Sequence, residues 1–146
     1  MQTFIGIVIA LIIFGVLVLI HEFGHFIVAV KNKVTVNEFS IGMGPRIYSH
    51  VAKSGTRYSL KLLPLGGSCA MLGEDEDNNE EGSFNSKSIW ARMAIVFAGP
   101  FFNFILAFVL ALIVIGAKGI DKSYVTYVDE KSPAYEAGLR VGDQIT

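Results

Sequence analysis

The sequence has few of the residues on which several common folds and sites depend. Cys69 is the only cysteine in 146 residues, which excludes an internal disulfide framework and a thiolate zinc cluster. Its 12 basic and 13 acidic residues nearly cancel, with no basic stripe carrying interleaved aromatic side chains, so we expect no nucleic-acid partner. The acidic run at 74–81 lacks the spacing of a calcium-binding loop, which favours a solvated loop.

Charged residues are almost absent from two long stretches, and 52% of the chain is hydrophobic. Residues 3–30 contain no lysine, arginine or aspartate, and at 1.5 Å per residue they span about 42 Å, enough to cross a bilayer core of ~30 Å. Because they have no basic leading region and no cleavage site before Lys31, a retained helix is favoured over a signal peptide. We predict transmembrane helices at 3–30 and 89–117.

The first apolar run contains a short polar motif, His-Glu-Phe-Gly-His, formed by residues 21–25. On a helix, His21 and His25 lie about 40° apart, so both imidazoles can bind one metal ion while Glu22 reaches a water bound to that ion. The alternative is that these three polar residues occur together by chance. This alternative is disfavoured because inserting each ionisable residue into a membrane costs about 2.5–3.5 kcal/mol of free energy on insertion scales.

The segment between the two runs has the pattern of short strands rather than helices. Residues 46–51 and 57–63 flank a polar turn at 53–56, which predicts a β-hairpin, and Pro64-Leu65-Gly66-Gly67 is expected to end its second strand. This hairpin either offers a strand edge that captures an unwound substrate segment or packs as an ordinary hairpin between helices. The pattern leaves both interpretations open.

The second apolar run contains Gly99, Pro100 and Asn103, which are unusual inside a transmembrane helix. The run starts from the membrane face where the first helix ended, so the two helices are predicted to be antiparallel. Counting residues from that face places Asn103 near the depth of His21 and Gly99 near that of His25. We therefore expect Gly99 and Gly24 to meet at the helix contact. Generic helix packing is the alternative.

The distribution of basic residues predicts the orientation of the chain. Lysine and arginine residues flank the membrane more densely at 31–88 than beyond the second helix, so this loop is expected in the cytoplasm and both ends outside.

Residues 119–146 are no longer a continuous apolar run, and they contain a strand-like stretch at 124–128 and a capped short helix within 132–139. They are too few to bury a core of their own.

Together these motifs resemble a known family. His-Glu-Phe-Gly-His in the first helix, FSIGMGPRIYS and YSLKLLPLGG in the loop and GPFFN in the second helix are similar to the site-2 protease family of intramembrane zinc metalloproteases. The similarity is strongest to its bacterial regulator-of-sigma-E protease branch. SPAYEAGLRVGDQI resembles the opening of the PDZ domain that this branch inserts after its second transmembrane helix. The resemblance covers essentially the whole chain.

The resemblance implies an α-helical membrane protein of the inner membrane. Two transmembrane helices would flank a membrane-associated β-hairpin loop and precede an incomplete extracytoplasmic PDZ domain at 119–146. His21 and His25 would bind Zn²⁺, and Glu22 would act as general base. The residues implied in substrate positioning are Gly66, Gly67, Gly99 and Asn103. The implied substrate is a membrane-anchored protein, such as an anti-sigma factor or a signal-peptide remnant.

The sequence departs from the family pattern in two places. The family's third zinc ligand is an aspartate in a later transmembrane helix, and neither apolar run contains aspartate. Ser68-Cys69-Ala70 stands where the family usually has bulkier residues. The leading hypothesis is an intramembrane zinc endopeptidase represented by its N-terminal portion. The alternative is a non-catalytic membrane adaptor or pseudoprotease fragment. A membrane-anchored protease with a cytosolic site is disfavoured because the motif lies within the apolar run.

Overall fold

The computed structural model describes residues 1–76, 80–119 and 123–144. Five elements follow one another along the chain. They are helix α1 (Gln2–Lys31), strand β1 (Val36–Val51), strand β2 (Arg57–Met71), helix α2 (Ile89–Lys118) and the short helix α3 (Pro133–Glu136). The described residues fall into two compact units, residues 1–108 and residues 109–146.

Both predicted membrane helices are present, and each is long and apolar enough to cross a bilayer. α1 ends where Lys33 adopts a left-handed backbone with φ of 56° and the Asn32 amide donates to the Val28 carbonyl. α2 begins after Ser88, whose hydroxyl accepts a hydrogen bond from the Ala91 N–H at 3.3 Å. The large apolar side chains of both helices are mostly exposed, as expected of surfaces that face lipid.

The two strands pair antiparallel, and bends divide each of them in two. Residues 46–51 pair with 57–61 across the turn at 52–56, which confirms the predicted hairpin. The expectation that 64–67 ends the second strand was wrong, because β2 continues to Met71. Glycine explains the difference: Gly66 (φ 78°) lets the strand bend without ending, and Gly42 (φ 87°) does the same in β1.

The bends create a sheet of four segments from only two strands. Residues 36–41 pair antiparallel with 67–71, from Val36 opposite Met71 to Ile41 opposite Gly67. Residues 38–41 also pair with 57–60 on their other side. Residue numbers increase in the same direction in both segments, from Glu38 opposite Arg57 to Ile41 opposite Leu60, as in a parallel pair. The order across the sheet is therefore 46–51, 57–61, 36–41 and 67–71. Residues 67–71 form an outer segment.

The buried core joins this sheet to the C-terminal end of α1 and the N-terminal end of α2. Ala29 of α1 and Ile95 of α2 are fully buried against a cluster of strand side chains, in which Phe39 packs on Phe26 with ring centroids 5.2 Å apart. The other buried members of the cluster are Val34, Val36, Cys69 and Met71. This core holds the outer segment 67–71 close to the polar motif of α1.

The second unit contains α3, which begins as the sequence predicted. The Ser132 hydroxyl accepts a hydrogen bond from the Tyr135 N–H, and the helix is followed by Gly138 with φ of 98°. Tyr124 and Gln144 form an isolated antiparallel bridge, so the strand-like stretch at 124–128 is a single bridge in the described part. Residues 120–122, 145 and 146 of the predicted PDZ segment lie outside the described residues, as do residues 77–79 of the acidic run.

Candidate metal centre and catalytic cavity

The two imidazoles of the α1 motif point at one place on α2. The rings of His21 and His25 are 4.8 Å apart, nearly perpendicular at 77°. A methyl group built on Gly99 would lie 2.7 Å from Nε2 of His21 and would also collide with Nε2 of His25. Both Nε2 atoms therefore converge on the space that the missing side chain of Gly99 leaves open. The spacing of the motif predicted this convergence, and the helix pair supplies the room.

The opposite nitrogen of each ring is held by α2. Nδ1 of His25 lies 2.7 Å from the carbonyl oxygen of Ile95, which can only accept, so Nδ1 donates its proton, and in the neutral ring Nε2 has the lone pair. Metal-binding histidines are usually oriented in this way, with the second ring nitrogen donating to a carbonyl. His25 is thus oriented to bind a metal through Nε2.

The side-chain amide of Asn103 lies 3.3 Å from Nδ1 of His21, through Nδ2. Within the described residues, its Oδ1 is buried without a hydrogen-bond partner. Turning the amide by 180° exchanges these atoms, so that Oδ1 accepts the Nδ1 proton of His21 and Nε2 is left unprotonated. The predicted match in depth between Asn103 and His21 is confirmed by this contact.

The contact between α1 and α2 contains both Gly24 and Gly99. A methyl group on Gly24 would lie 2.5 Å from the Ala98 carbonyl oxygen and 3.1 Å from the Phe102 ring, while Gly99 faces the two histidines. Gly24 thus packs against the residue that precedes Gly99, so both glycines lie in the contact between α1 and α2, where the sequence predicted them. Gly24 allows the backbone of α2 to approach α1, and Gly99 allows the two imidazole rings of α1 to approach α2.

Glu22 lies between the helices and the outer sheet segment. A methyl group on Gly67 would be 3.5 Å from Cγ of Glu22 and 2.8 Å from the Ser40 carbonyl oxygen. Gly67 thus allows the strand to pass close to Glu22. Gly66 is placed differently, because its nearest neighbour is Met43 and its positive φ forms the bend. Of the two predicted loop glycines, the structure brings only Gly67 to the motif.

A cavity of about 240 Å³ opens beside Glu22 and His25. It is also lined by Cys69, Met71, Glu74, Phe84, Ile95 and Val96. Burial raises the pKa of the Cys69 thiol to about 12, so this cysteine stays protonated near neutral pH. Glu74 is exposed on one side and loses solvent on the side that faces the cavity, which raises the pKa of its carboxyl.

The residues present fit part of a zinc site. Two neutral imidazoles with free Nε2 atoms and anchored Nδ1 atoms are typical zinc ligands, and a catalytic site needs a third protein ligand. Among the described residues, no three histidine, cysteine, aspartate or glutamate side chains are grouped to hold a metal ion.

Three groups around the motif were not predicted from the sequence. The Ile95 carbonyl could not be identified because any helix residue has one. Cys69 was treated as incidental and Glu74 as part of a solvated loop, yet both line the cavity beside Glu22. The alternation of strand residues 67–71 was the one available signal, because it places Cys69 and Met71 on the same face.

A His-Glu-x-x-His motif held between two long apolar helices is typical of the metal site of a metalloprotease. The family model for peptidase family M50, the site-2 protease family, matches residues 9–142, and the chain belongs to this family. The resemblance expected from the sequence is confirmed at the family level. The two apolar helices and the family together indicate a membrane protein.

Named proteins from three bacteria are similar over nearly the whole chain, each called a "Putative zinc metalloprotease". The Clostridium acetobutylicum protein is 46% identical over 144 residues, which cover 99% of this chain and 42% of the relative. The Clostridium perfringens protein is 40% identical over 138 residues, covering 94% and 41%. The Vibrio cholerae protein is 42% identical over 149 residues, covering 98% and 32%. The chain therefore spans about two fifths or less of these relatives.

Proposed function

We propose that this chain forms the N-terminal portion of an intramembrane zinc metalloendopeptidase. The observation that carries the proposal is the convergence of two Nε2 atoms on Gly99, with Glu22 beside them at the edge of a strand. Membership of the M50 family and the zinc metalloprotease names of the relatives support it. The site is enclosed by two apolar helices, which fits hydrolysis within the membrane.

Different residues of this chain would have different roles in peptide hydrolysis. His21 and His25 would hold Zn²⁺ through Nε2, and a further ligand would come from elsewhere in the full-length protein. Bound zinc supplies Lewis acidity to water and to the substrate carbonyl. Glu22 takes a proton from the attacking water and returns it to the leaving amine. Asn103 and the Ile95 carbonyl keep the imidazoles in the orientation that this requires.

The outer segment 67–71 supports a role in positioning the substrate. A transmembrane helix must unwind before its amide can be attacked, and an extended peptide is stabilised by pairing with a strand edge. In the described part of the chain, 67–71 pairs on one side only, with 36–41. Gly67 brings this segment to Glu22, while Gly99 keeps the metal position open. A substrate strand added here would pass the catalytic carboxylate.

The partners and cellular location follow from the same proposal. The substrates would be membrane-anchored regulators or signal-peptide remnants in the cell membrane, with the bilayer as the surrounding medium. Residues 31–88 would face the cytoplasm, and 119–146 would begin an extracytoplasmic PDZ domain. The capped helix α3 supports a folded element in this segment.

The decisive test replaces Glu22 in the full-length protein. Glu22→Gln keeps the size and hydrogen-bonding capacity of the side chain but removes the base, so cleavage of a membrane-anchored substrate should fall at least about 10²-fold while zinc content is retained. Glu76→Gln, on the exposed acidic loop, is the matched control and should cleave normally. Undiminished cleavage by Glu22→Gln contradicts the proposal.

A second function is favoured by one observation. The described residues bring only two metal ligands together, so a non-catalytic membrane adaptor would use the same helices and loop without hydrolysis. Zinc analysis of the purified full-length protein separates the two. Stoichiometric zinc with cleavage supports the peptidase, whereas the absence of both supports the adaptor.

A further inference from the structure

The cavity beside Glu22 is bounded by two different kinds of surface. Glu22, His25 and Glu74 contribute polar groups, and the remaining walls are apolar or weakly polar. Those walls consist of Cys69, Met71, Phe84, Ile95 and Val96. Its volume of about 240 Å³ is below the ~300–1,000 Å³ of typical small-molecule sites, which suits a single side chain.

The position of the cavity relative to the strand edge identifies its occupant. Cys69 and Met71 are buried and point to the cavity, while Ala70 between them is exposed on the other face. A peptide strand added along 67–71 has the same alternation. One of its side chains would therefore stand on the Cys69 face, directly above the cavity, while its backbone passes Glu22.

We propose that this cavity is the subsite that selects one substrate side chain next to the cleaved bond, with Cys69 and Met71 setting its size. The inference rests on the proposed peptidase function and deepens it. The preferred side chain is uncharged and apolar, of leucine or methionine size. Aspartate and glutamate are rejected because Glu22 and Glu74 line the same space.

Cys69 has a specific part in this selection. A bulkier residue at this position would project into the cavity from the strand that guides the substrate. The small thiol, protonated because burial raises its pKa to about 12, leaves an apolar wall without adding charge. A pocket of this kind discriminates single methylene groups by roughly 10–200-fold in kcat/KM.

The test uses the full-length protein and a membrane-anchored model substrate in liposomes. Alanine, leucine, tryptophan and aspartate are placed in turn at each position flanking the cut, and kcat/KM is measured for each. One position should prefer leucine over alanine at least about 10-fold and disfavour aspartate. Cys69→Phe should remove or reverse this preference at that position alone, and Met71→Ala should shift it towards tryptophan.

Ala70→Phe is the matched control, because it adds the same ring to the opposite face of the same segment. It should change kcat/KM by one common factor for all substrates and leave the preference intact. Zinc content is measured for every variant, and if Cys69→Phe loses zinc, Met71→Ala decides. Preferences unchanged in both pocket variants overturn the subsite while leaving the peptidase intact. Cleavage that survives Glu22→Gln instead overturns the peptidase.

Discussion

At the scale of single residues, the candidate metal centre depends on the absence of a side chain at Gly99 as well as on the two histidine rings. Both Nε2 atoms face the same gap, and each ring is fixed from behind by a group on α2. The proposed zinc affinity would therefore depend on a position that provides no ligand. Small residues in membrane helices usually allow helices to pack, and Gly99 also leaves open the space that both Nε2 atoms face.

Gly99→Ala tests this dependence. The added methyl would meet ring atoms of His21 and His25, which can move aside only by leaving the shared point, so zinc affinity should fall at least about 10-fold and cleavage with it. Competition with a zinc-binding dye measures the affinity. Gly6→Ala in α1 is the control, since nothing lies within 4 Å of its added methyl, and its affinity should be unchanged. Equal affinities in both variants would refute the dependence.

At the scale of elements, the bent sheet is held together by an ion cluster on Glu38. Arg46 donates to both carboxylate oxygens, at 2.7 and 3.1 Å, and the Ser59 hydroxyl donates at 2.6 Å. Lys61 lies 3.9 Å away. These contacts join segments 36–41, 46–51 and 57–61. The hydrogen bonds from Arg46, aided by Ser59 and by the nearby positive charges, lower the pKa of Glu38 to about 2.

Glu38→Gln should loosen the hairpin. The loss of a charge-assisted bidentate pair on a side chain that is only 15% exposed should lower the local free energy of opening by about 1–2 kcal/mol. Hydrogen exchange of amides in 46–51 and 57–61 measures this. Glu81→Gln, exposed outside the sheet, should leave exchange in these segments unchanged. Identical protection in both variants would contradict the role of the cluster.

The same carboxylate predicts how the loop responds to acid. Because the folded pKa lies below the ordinary value of 4.5, Glu38 contributes its full stabilisation above about pH 4.5. This contribution is lost as the pH falls from about 4.5 towards 2. Exchange protection of the hairpin should therefore decline over this window in the native protein and decline less in Glu38→Gln.

At the scale of the whole molecule, the orientation in the membrane decides which compartment supplies the substrate. The positive-inside rule predicts that the turn at 52–56 lies in the cytoplasm and that the segment after α2 lies outside. Cys69 is buried with a raised pKa, so it should react too slowly with maleimides to obscure a cysteine introduced elsewhere. Single introduced cysteines can therefore report sidedness.

Ser54→Cys and Ser123→Cys make a matched pair for this measurement in intact cells, in a full-length protein freed of other exposed cysteines. Both residues are exposed. A membrane-impermeant maleimide should label Ser123→Cys directly and Ser54→Cys only after the membrane is opened. The reverse pattern would invert the proposed topology and place the site nearer the outer face.

The amino-acid sequence by itself determined the two long apolar helices, the His-Glu-x-x-His motif, the hairpin turn and the depth at which Asn103 meets His21. These are consequences of hydrophobic length, helical period and turn chemistry, all of which are local. Only the tertiary structure decided which other groups surround His21, Glu22 and His25. The Ile95 carbonyl on Nδ1, the pairing of 67–71 beside Glu22, and the cavity behind Cys69 depend on distant segments. These contacts arise from the packing of segments far apart in the sequence, so the hydrophobic periodicity of a single segment does not predict them.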